Sequence, residues 1–222
     1  MKVGDWRLAI GCLLAAAVAQ GAAQNKPRES TARAPKEQAC GPIADAVLEC
    51  PRFGFSYKIP FGWVDRTDDM QGESEPDSES TTKSEAEKSA SSSKPQTLLA
   101  IFERPPGAPG ETINSAVVIA AESVADYHAV KQASDYFGPI AELAEQRGFK
   151  ATSEPYSFSV GAKQLVRADF SKERGKLTMW QSSLVMIEKN YIVSFTFVSG
   201  SEDDGAELIT NLSFATRAQP HK

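Results

Sequence analysis

The alternation of apolar and polar residues predicts several strands in this chain. Aromatic and branched residues occupy every second position from Phe53 to Ile59, which is typical of a strand with one buried face. The runs 97–102 and 113–121 are apolar on both alternating sets, which indicates strands in the middle of a sheet covered on both sides. Four later segments separated by short turns predict an antiparallel meander over residues 151–160, 163–170, 176–188 and 190–199.

Three segments have the spacing or the end signals of helices. A short helical turn is predicted at 41–49, and a last helix from about Ser201 to Leu212. Between them, a helical stripe begins at Ser123, is interrupted at Gly138-Pro139 and ends at Gly148; its first part consists of Val124, Tyr127, Val130, Ala133 and Phe137. Strands and helices in this order predict an α+β fold, with helices packed on an antiparallel sheet.

Residues 66–96 break the pattern. They are rich in Ser, Thr, Glu, Asp and Lys and contain no aromatic or β-branched apolar residue. Such a run cannot recover its ordering entropy through burial, so we expect a disordered acidic insertion that is dispensable for folding. Residues 65–94 hold nine carboxylates against four basic residues, a balance equal to the whole chain's net charge of −5. The remaining chain is therefore close to neutral.

The N-terminus has the three parts of a secretion signal. Lys2 and Arg7 give a basic start, an apolar run of about 11 residues follows, and small residues come next. The run is shorter than the roughly 20 residues that span a bilayer. We therefore predict a cleavable signal peptide over residues 1–23, cut after Ala19 or Ala23.

The predicted signal peptide leads into a flexible polar leader over residues 24–39. Lipidation at Cys12 is disfavoured, because the apolar run continues beyond that residue instead of ending there. The expected location is the periplasm or the extracellular space of a bacterium. The domain proper is expected to span residues 40–215, with a polar tail over 216–222.

Two cysteines remain after the predicted cleavage, Cys40 and Cys50. An even number of cysteines in an oxidising compartment favours a disulfide. A redox or metal pair is the alternative, but nine intervening residues do not make a CxxC motif and no histidine is adjacent. A bridge closing so short a loop would contribute about 2.5–3 kcal/mol in the chain-entropy model.

Signatures of catalytic chemistry are sparse. A Ser-His-Asp device would have to use His128, since the other histidine, His221, lies in the polar tail. The chain has no G-x-S-x-G elbow, so we interpret His128 as a partly exposed helix residue. There is no Walker or dinucleotide-binding glycine pattern and no zinc-ligand spacing. Neither catalytic residues nor metal ligands nor a cofactor are predicted.

The charged residues have simple structural interpretations. The cluster at 202–205, Glu-Asp-Asp-Gly, could offer oxygen ligands to calcium, but it lacks the alternating spacing of an EF-hand loop. Capping of the last helix is the favoured role. Arg167 and Asp169 share one strand face and are expected to form a surface ion pair with a neighbour; the opposite face carries Val166, Ala168 and Phe170.

Polar residues interrupt one strand of the predicted meander where a buried strand would be apolar. In this segment Trp180 and Ser182 share a face, and Gln181 points to the other. A half-solvated strand with Trp180 in the core is one interpretation. The other makes Trp180, Gln181 and Ser182 a candidate surface for a partner or a ligand.

One short motif and the order of elements resemble a known family. The motif is Phe55-x-Tyr57-x-Ile59-Pro60-x-Gly62-Trp63, supported by Leu208-Ile209-x-x-Leu212-x-Phe214 near the end. Both resemble the PsbP-like family, named for a photosystem II subunit and shared by a Ran-binding protein and exported bacterial proteins. The resemblance covers about residues 50–215 without the insertion, and it implies an α/β/α sandwich. No metal ligand carries over, so PsbP's retention of calcium and chloride is not implied here.

The functional expectation is an exported, non-enzymatic binding or assembly module of the bacterial envelope, whose partners are other envelope proteins. Nucleic acid is not expected as a partner, because its phosphates require clustered Lys and Arg. No transmembrane span is expected in the mature chain. The alternative is a small-ligand carrier or an enzyme that uses a cleft between sheet and helices, which clustered acids or a buried histidine in a deep pocket would favour.

Overall fold

Two antiparallel sheets organise the computed structural model, which describes residues 39–72 and 95–215. The larger sheet has eight strands and the smaller has three. In chain order the described strands are β1 (Val47–Cys50), β2 (Phe55–Lys58), β3 (Val64–Asp65), β4 (Gln96–Phe102), β5 (Ala116–Ser123), β6 (Lys150–Ala151), β7 (Tyr156–Val160), β8 (Lys163–Arg174), β9 (Leu177–Glu188), β10 (Tyr191–Ser199) and β11 (Leu212–Phe214). The large sheet runs β3-β4-β5-β10-β9-β8-β6, with β7 also paired to β8, and the small sheet runs β1-β2-β11.

Helices lie on both faces of the large sheet. The described helices are α1 (Thr67–Gly72), α2 (Phe137–Gln146) and α3 (Glu202–Thr210), with two 3-10 turns at Val124–Asp126 and Ala133–Tyr136. One face of the sheet, called here the α2 face, packs against α2 and the second 3-10 turn. The other, the α3 face, packs against α3 and the small sheet. The predicted α+β fold, an antiparallel sheet between helices, is confirmed. Within the described part of the chain, no helix is long and apolar enough to cross a bilayer.

Strand alternation divides the core between these two faces. On β10, Phe195 and Phe197 are fully buried on the α3 face, whereas Ile192 is buried on the α2 face. Phe55 of the small sheet meets Phe195 edge to face, with 5.1 Å between ring centroids. The period of two along a strand thus supplies apolar side chains to both layers, which holds the helices and the small sheet against one platform.

The predicted meander is present as β7 to β10, joined by tight antiparallel hairpins. The last hairpin turns at Lys189 and Asn190, which have φ values of 49° and 63°. Two consecutive positive φ angles are the geometry of a type I′ turn, whose twist matches that of the flanking strands. This turn fixes the register in which Tyr191 faces Glu188.

One predicted helix is wrong, and a second forms only over its later part. The segment 41–49 is not helical: Ala44 and Val47 bridge across a turn in which Asp45 and Ala46 take positive φ, and the Gly41 N–H donates to the Glu49 carbonyl at 2.8 Å. These local bonds draw the segment into an extended hairpin with β1.

The predicted helix from Ser123 is replaced at its start by the two 3-10 turns and connecting loops. Tyr127 and Tyr136 both donate hydrogen bonds to the carboxylate of Glu122 on β5. These bonds hold the loop against the sheet at two points, so the residues with helical spacing lie in irregular turns instead of a helix. The helix begins only at Phe137 and ends at Gln146. The predicted interruption at Gly138-Pro139 is wrong, because both residues lie in the first turn, where proline has no N–H to leave unpaired.

The disorder predicted over residues 66–96 is wrong at both ends of that range. Residues 67–72 form α1, because the Asp65 carboxylate accepts from the Thr67 N–H at 2.9 Å and Gln71 donates to the Thr97 carbonyl at 2.7 Å. Strand β4 already begins at Gln96. The predicted disorder of 73–94 lies outside the described residues, as do the predicted signal peptide, nearly all of the leader and the polar tail.

The predicted disulfide is confirmed: Cys40 is bonded to Cys50. Cys50 is fully buried at the end of β1, in the core on the α3 face. The bond therefore ties residues 39–41 to the small sheet, next to the hydrogen bond from Gly41 to Glu49.

Two buried tyrosines are expected to lower the free energy of unfolding in alkaline solution. Burial raises the pKa of both Tyr57 and Tyr136, and Glu122 raises that of Tyr136 further. In the unfolded chain both lose a proton near pH 10, whereas the folded chain keeps them. Above pH 10 the unfolded state thus binds fewer protons, and the free energy of unfolding should fall by about 1.4 kcal/mol per pH unit for each tyrosine.

Urea denaturation from pH 8 upward measures this slope. Tyr136→Phe removes one of the two groups and should make the decline above pH 10 shallower by about 1.4 kcal/mol per pH unit. An unchanged slope in Tyr136→Phe would show that Tyr136 titrates alike in both states.

Candidate functional site

A hydrogen-bonded turn holds an aromatic ring in solvent. The turn runs from Pro60 to Trp63, and the Trp63 N–H donates to the Pro60 carbonyl at 3.3 Å. Gly62 has φ of 81°, the conformation that a type II turn requires at its third position and that glycine adopts without strain. This geometry leaves Phe61 fully exposed at the tip of the turn. Its exposure follows from a defined backbone rather than from a loose chain end.

Beside this turn lies a groove of about 780 Å³, called here the Phe61 groove. Its floor is formed by the buried side chains of Ile113 and Leu208. Its walls carry half-buried Trp63 and the exposed ring of Phe61. The remaining lining residues are Lys58, Ile59, Pro60, Glu103, Thr112, Ser115, Leu177, Gly200, Asp204, Glu207 and Asn211.

The Phe61 groove has an acidic rim. Among the described residues that line it, Glu103, Asp204 and Glu207 are carboxylates and Lys58 is the one base. Asp204 and Glu207 lie on α3, are exposed, and form no ion pair with any described residue. Glu103 Oε1 lies 3.8 Å from Arg104 Nη1, so this carboxylate is paired. The groove therefore combines apolar walls with unpaired negative charge.

A second concavity, called here the Trp180 cleft, lies on the α3 face of the sheet near the start of α3. Its volume is about 280 Å³. Half-buried Trp180 lines it together with residues of β8, β9 and β10, the loop before β7 and the start of α3. The other lining residues are Thr152, Ser153, Arg167, Asp169, Gln181, Ser182, Ser199, Glu202 and Gly205.

An ion pair with hydroxyl partners forms one wall of the Trp180 cleft. Arg167 Nε donates to Asp169 Oδ1 at 2.8 Å, and its Nη2 donates to Ser182 Oγ at 3.0 Å. Ser182 Oγ in turn donates to the same Asp169 oxygen at 2.6 Å. Tyr156 donates to Asp169 Oδ2 at 3.0 Å. Burial raises the pKa of Tyr156, and its hydrogen bond to Asp169 raises it further.

The three residues predicted as a binding surface all border the Trp180 cleft. Trp180 and Ser182 share the α3 face, where alternation places them. Gln181 points to the other face, where its amide donates to Ser183 Oγ at 3.1 Å within the buried sheet. Whether the three bind a partner stays a prediction, and Gln181 has the least access of them to a ligand.

The remaining candidates have structural surroundings. Arg167 and Asp169 pair with each other rather than with another strand's charge, and their side chains are only 16% and 18% exposed. His128 is exposed in the loop between the two 3-10 turns. Ser201 Oγ caps α3 by accepting from the Asp204 N–H at 3.1 Å, with the acids of 202–204 in the first turn. Within residues 39–72 and 95–215, no three His, Cys, Asp or Glu side chains gather as a metal site.

Comparisons with known proteins give distant likenesses. No family model matches the chain, and no curated protein does either. The solution structure of CyanoP, the cyanobacterial PsbP of Synechocystis sp. PCC 6803, is 8% identical and aligns over 81% of this chain and 99% of its own, with a TM-score of 0.46. LpqN of Mycobacterium tuberculosis, involved in cell envelope biogenesis, is 9% identical over 73% and 83%, with a TM-score of 0.36.

The Ran-binding protein Mog1p of Saccharomyces cerevisiae is 11% identical, and the alignment covers 71% of this chain and 78% of that one, with a TM-score of 0.37. Identities and TM-scores this low assign neither a family nor an activity.

Proposed function

We propose that the protein is an exported binding module of the bacterial envelope, and that the Phe61 groove is the surface through which it binds. Its partner is a protein segment that carries Lys or Arg beside an apolar side chain. The observation that carries the proposal is the full exposure of Phe61 at a hydrogen-bonded turn, continuous with the apolar walls of the groove. A large aromatic ring held in water costs solvation free energy, which a partner recovers by covering it.

The charge of the rim selects the partner. Asp204 and Glu207 face the groove without a cation of their own among the described residues. A basic segment would place its cation between these carboxylates and its apolar side chain against Phe61 and Trp63. An acidic segment would be repelled, so the rim supplies specificity while the aromatic rings supply most of the affinity.

Export and family membership are part of the same proposal. The basic start, short apolar run and small residues of positions 1–23 support secretion. The Cys40–Cys50 disulfide is of the kind that persists in oxidising compartments. The motif from Phe55 to Trp63 supports a PsbP-like domain. In this chain the last four residues of the motif form the turn that exposes Phe61.

Peptide titration tests the proposed chemistry without a known partner. Two peptides of equal length are compared, Ala-Lys-Leu-Lys-Trp-Ala and its counterpart with Glu in place of Lys. Binding is followed by ¹⁵N-edited NMR of the full chain. The basic peptide should shift resonances of Trp63 and α3 saturably, at least about tenfold more tightly than the acidic peptide. Salt should weaken the basic complex, because exposed charges are screened.

Neighbouring acids on one helix turn supply a matched control. Asp204→Lys changes the rim of the Phe61 groove, whereas Asp203→Lys makes the same charge change at a position that does not line it. Both lose the same favourable interaction with the helix dipole. We expect Asp204→Lys to abolish the preference for the basic peptide and Asp203→Lys to keep it. Equal binding of both peptides to the unmodified chain would refute the charge argument.

A further inference from the structure

The Trp180 cleft holds polar groups that the fold does not use up. Arg167 engages Asp169 and Ser182 through Nε and Nη2, and its Nη1 makes no hydrogen bond with any described residue. Ser153 Oγ accepts from the Asp169 N–H at 3.0 Å, but its own proton goes to no described acceptor. The Glu202 carboxylate is exposed, with no described donor. Two donors and one acceptor therefore line the same cleft as Trp180.

The charge in this cleft disfavours ionic ligands. The positive charge of Arg167 is already balanced by Asp169 at 2.8 Å, so an anion would meet a neutral pair and the carboxylate of Glu202. A metal cation would need free carboxylate oxygens. Both oxygens of Asp169 accept hydrogen bonds, from Arg167 and Ser182 on one and from Tyr156 on the other. The unused hydrogen-bond donors and acceptor therefore suit a neutral molecule that both donates and accepts hydrogen bonds.

The cleft also offers an apolar surface to a ligand. Trp180 gives the cleft one flat aromatic side chain, and the hydroxyl residues Thr152, Ser153 and Ser182 line the same cleft. A sugar ring has both features, since its C–H face packs against an indole and its hydroxyls donate and accept around the edge. The ion pair of Arg167 and Asp169 holds its planar groups in fixed orientation for such hydrogen bonds.

We infer that the Trp180 cleft binds a sugar ring of an oligosaccharide, with Trp180 as the stacking platform and Arg167, Ser153 and Glu202 as hydrogen-bonding partners. This site is separate from the Phe61 groove, which borders a different part of α3. The chain would thus have one surface for a protein segment and one for a glycan. The second does not depend on the first.

NMR with defined sugars tests this inference. The full chain is titrated with the trisaccharide of N-acetylglucosamine, with maltotriose and, separately, with citrate. The Trp180 indole resonance is identified as the peak missing from Trp180→Phe. At least one trisaccharide should shift this resonance saturably in the millimolar range, and citrate should not. Trp180→Leu should weaken that binding about tenfold or more, whereas Trp180→Phe keeps a ring and should weaken it less.

Two further variants keep the result interpretable. Ser153→Ala removes one donor from the edge of the cleft and should weaken sugar binding severalfold. Its effect on the spectrum of the free chain should be confined to the neighbourhood of Asp169, whose N–H loses its acceptor. Phe61→Ser lies in the other groove and should leave sugar binding unchanged. Failure of both trisaccharides to bind would overturn the inference. So would a saturable response to citrate alone, or sugar binding that survives Trp180→Leu with full affinity.

Discussion

Replacing Tyr57 by Ala is expected to lower the free energy of unfolding by about 3–5 kcal/mol, the range for removing a large aromatic side chain from a core. Tyr57 on β2 is fully buried, and its ring lies 6.3 Å from that of Phe197 on β10. Its hydroxyl donates to the Leu208 carbonyl of α3 at 3.1 Å. One side chain thus joins the small sheet, the large sheet and the last helix.

Tyr57→Phe is the matched control because it removes only the hydroxyl. The Leu208 carbonyl still accepts from the Asn211 N–H at 3.3 Å, so it is not left without a donor. The expected loss is about 0.5–1.5 kcal/mol, the net value of a typical hydrogen bond. Urea denaturation of both variants at pH 7 measures the difference. Equal losses in Tyr57→Ala and Tyr57→Phe would show that the ring contributes little to the core.

Arg167→Met is expected to lower the free energy of unfolding by about 2–3 kcal/mol, because hydrogen bonds to charged groups are worth about 1.5–3 kcal/mol each. The substitution keeps an apolar stem of similar length but removes the cation from Asp169. That carboxylate is 18% exposed and would retain only the hydroxyls of Ser182 and Tyr156. Arg167→Lys should lose less, since it keeps the charge without the planar fork.

The ion pair of Lys163 and Glu188 provides the comparison within the same sheet. Its atoms are 2.7 Å apart, yet the side chains are 31% and 27% exposed. Exposed pairs contribute about 0–1 kcal/mol, so Lys163→Met should cost less than Arg167→Met when both are unfolded in urea. A larger loss in Lys163→Met would contradict the ranking by burial.

The sequence predicts the strands of this fold well where one physical cause dominates. Apolar residues occupy every second position of β10 from Tyr191 to Phe197 because these side chains pack into the core on the α3 face. The tight turn at Lys189 and Asn190 separates β9 from β10 in the sequence as in the structure. The segment 41–49 has helix-compatible spacing as well. Its extended form depends on hydrogen bonds and a disulfide to β1, which a local pattern does not report.

The helix predicted for the loop after β5 is wrong for a similar reason. The spacing of Tyr127 and Tyr136 suits a helical stripe, but both hydroxyls bond to Glu122 on the sheet. A polar tertiary contact therefore overrides the apolar periodicity. The apolar pattern of the sequence does not indicate such contacts. It treats tyrosine as an apolar residue, although the tyrosine hydroxyl forms a hydrogen bond when it is buried.

The two candidate sites differ in how visible they are in the sequence. Trp180 and Ser182 are detectable because polar residues interrupt a strand that should be buried, and the structure places them at one cleft. The Phe61 groove is not detectable in this way. The motif from Pro60 to Trp63 indicates a turn, but the exposure of Phe61 and the position of α3 beside it depend on how distant segments pack.

Site-specific photo-crosslinking from position 61 shows whether Phe61 contacts a protein partner in the cell. A photoreactive phenylalanine analogue replaces Phe61 in cells that produce the protein, and replaces Leu143, an exposed apolar residue of α2, as the control. We expect a discrete adduct from position 61 whose crosslinked segment contains Lys or Arg beside an apolar residue, and we expect it to be lost with Asp204→Lys but not with Asp203→Lys. The same adducts from positions 61 and 143, or an adduct that Asp204→Lys leaves unchanged, would refute the proposed role of the Phe61 groove.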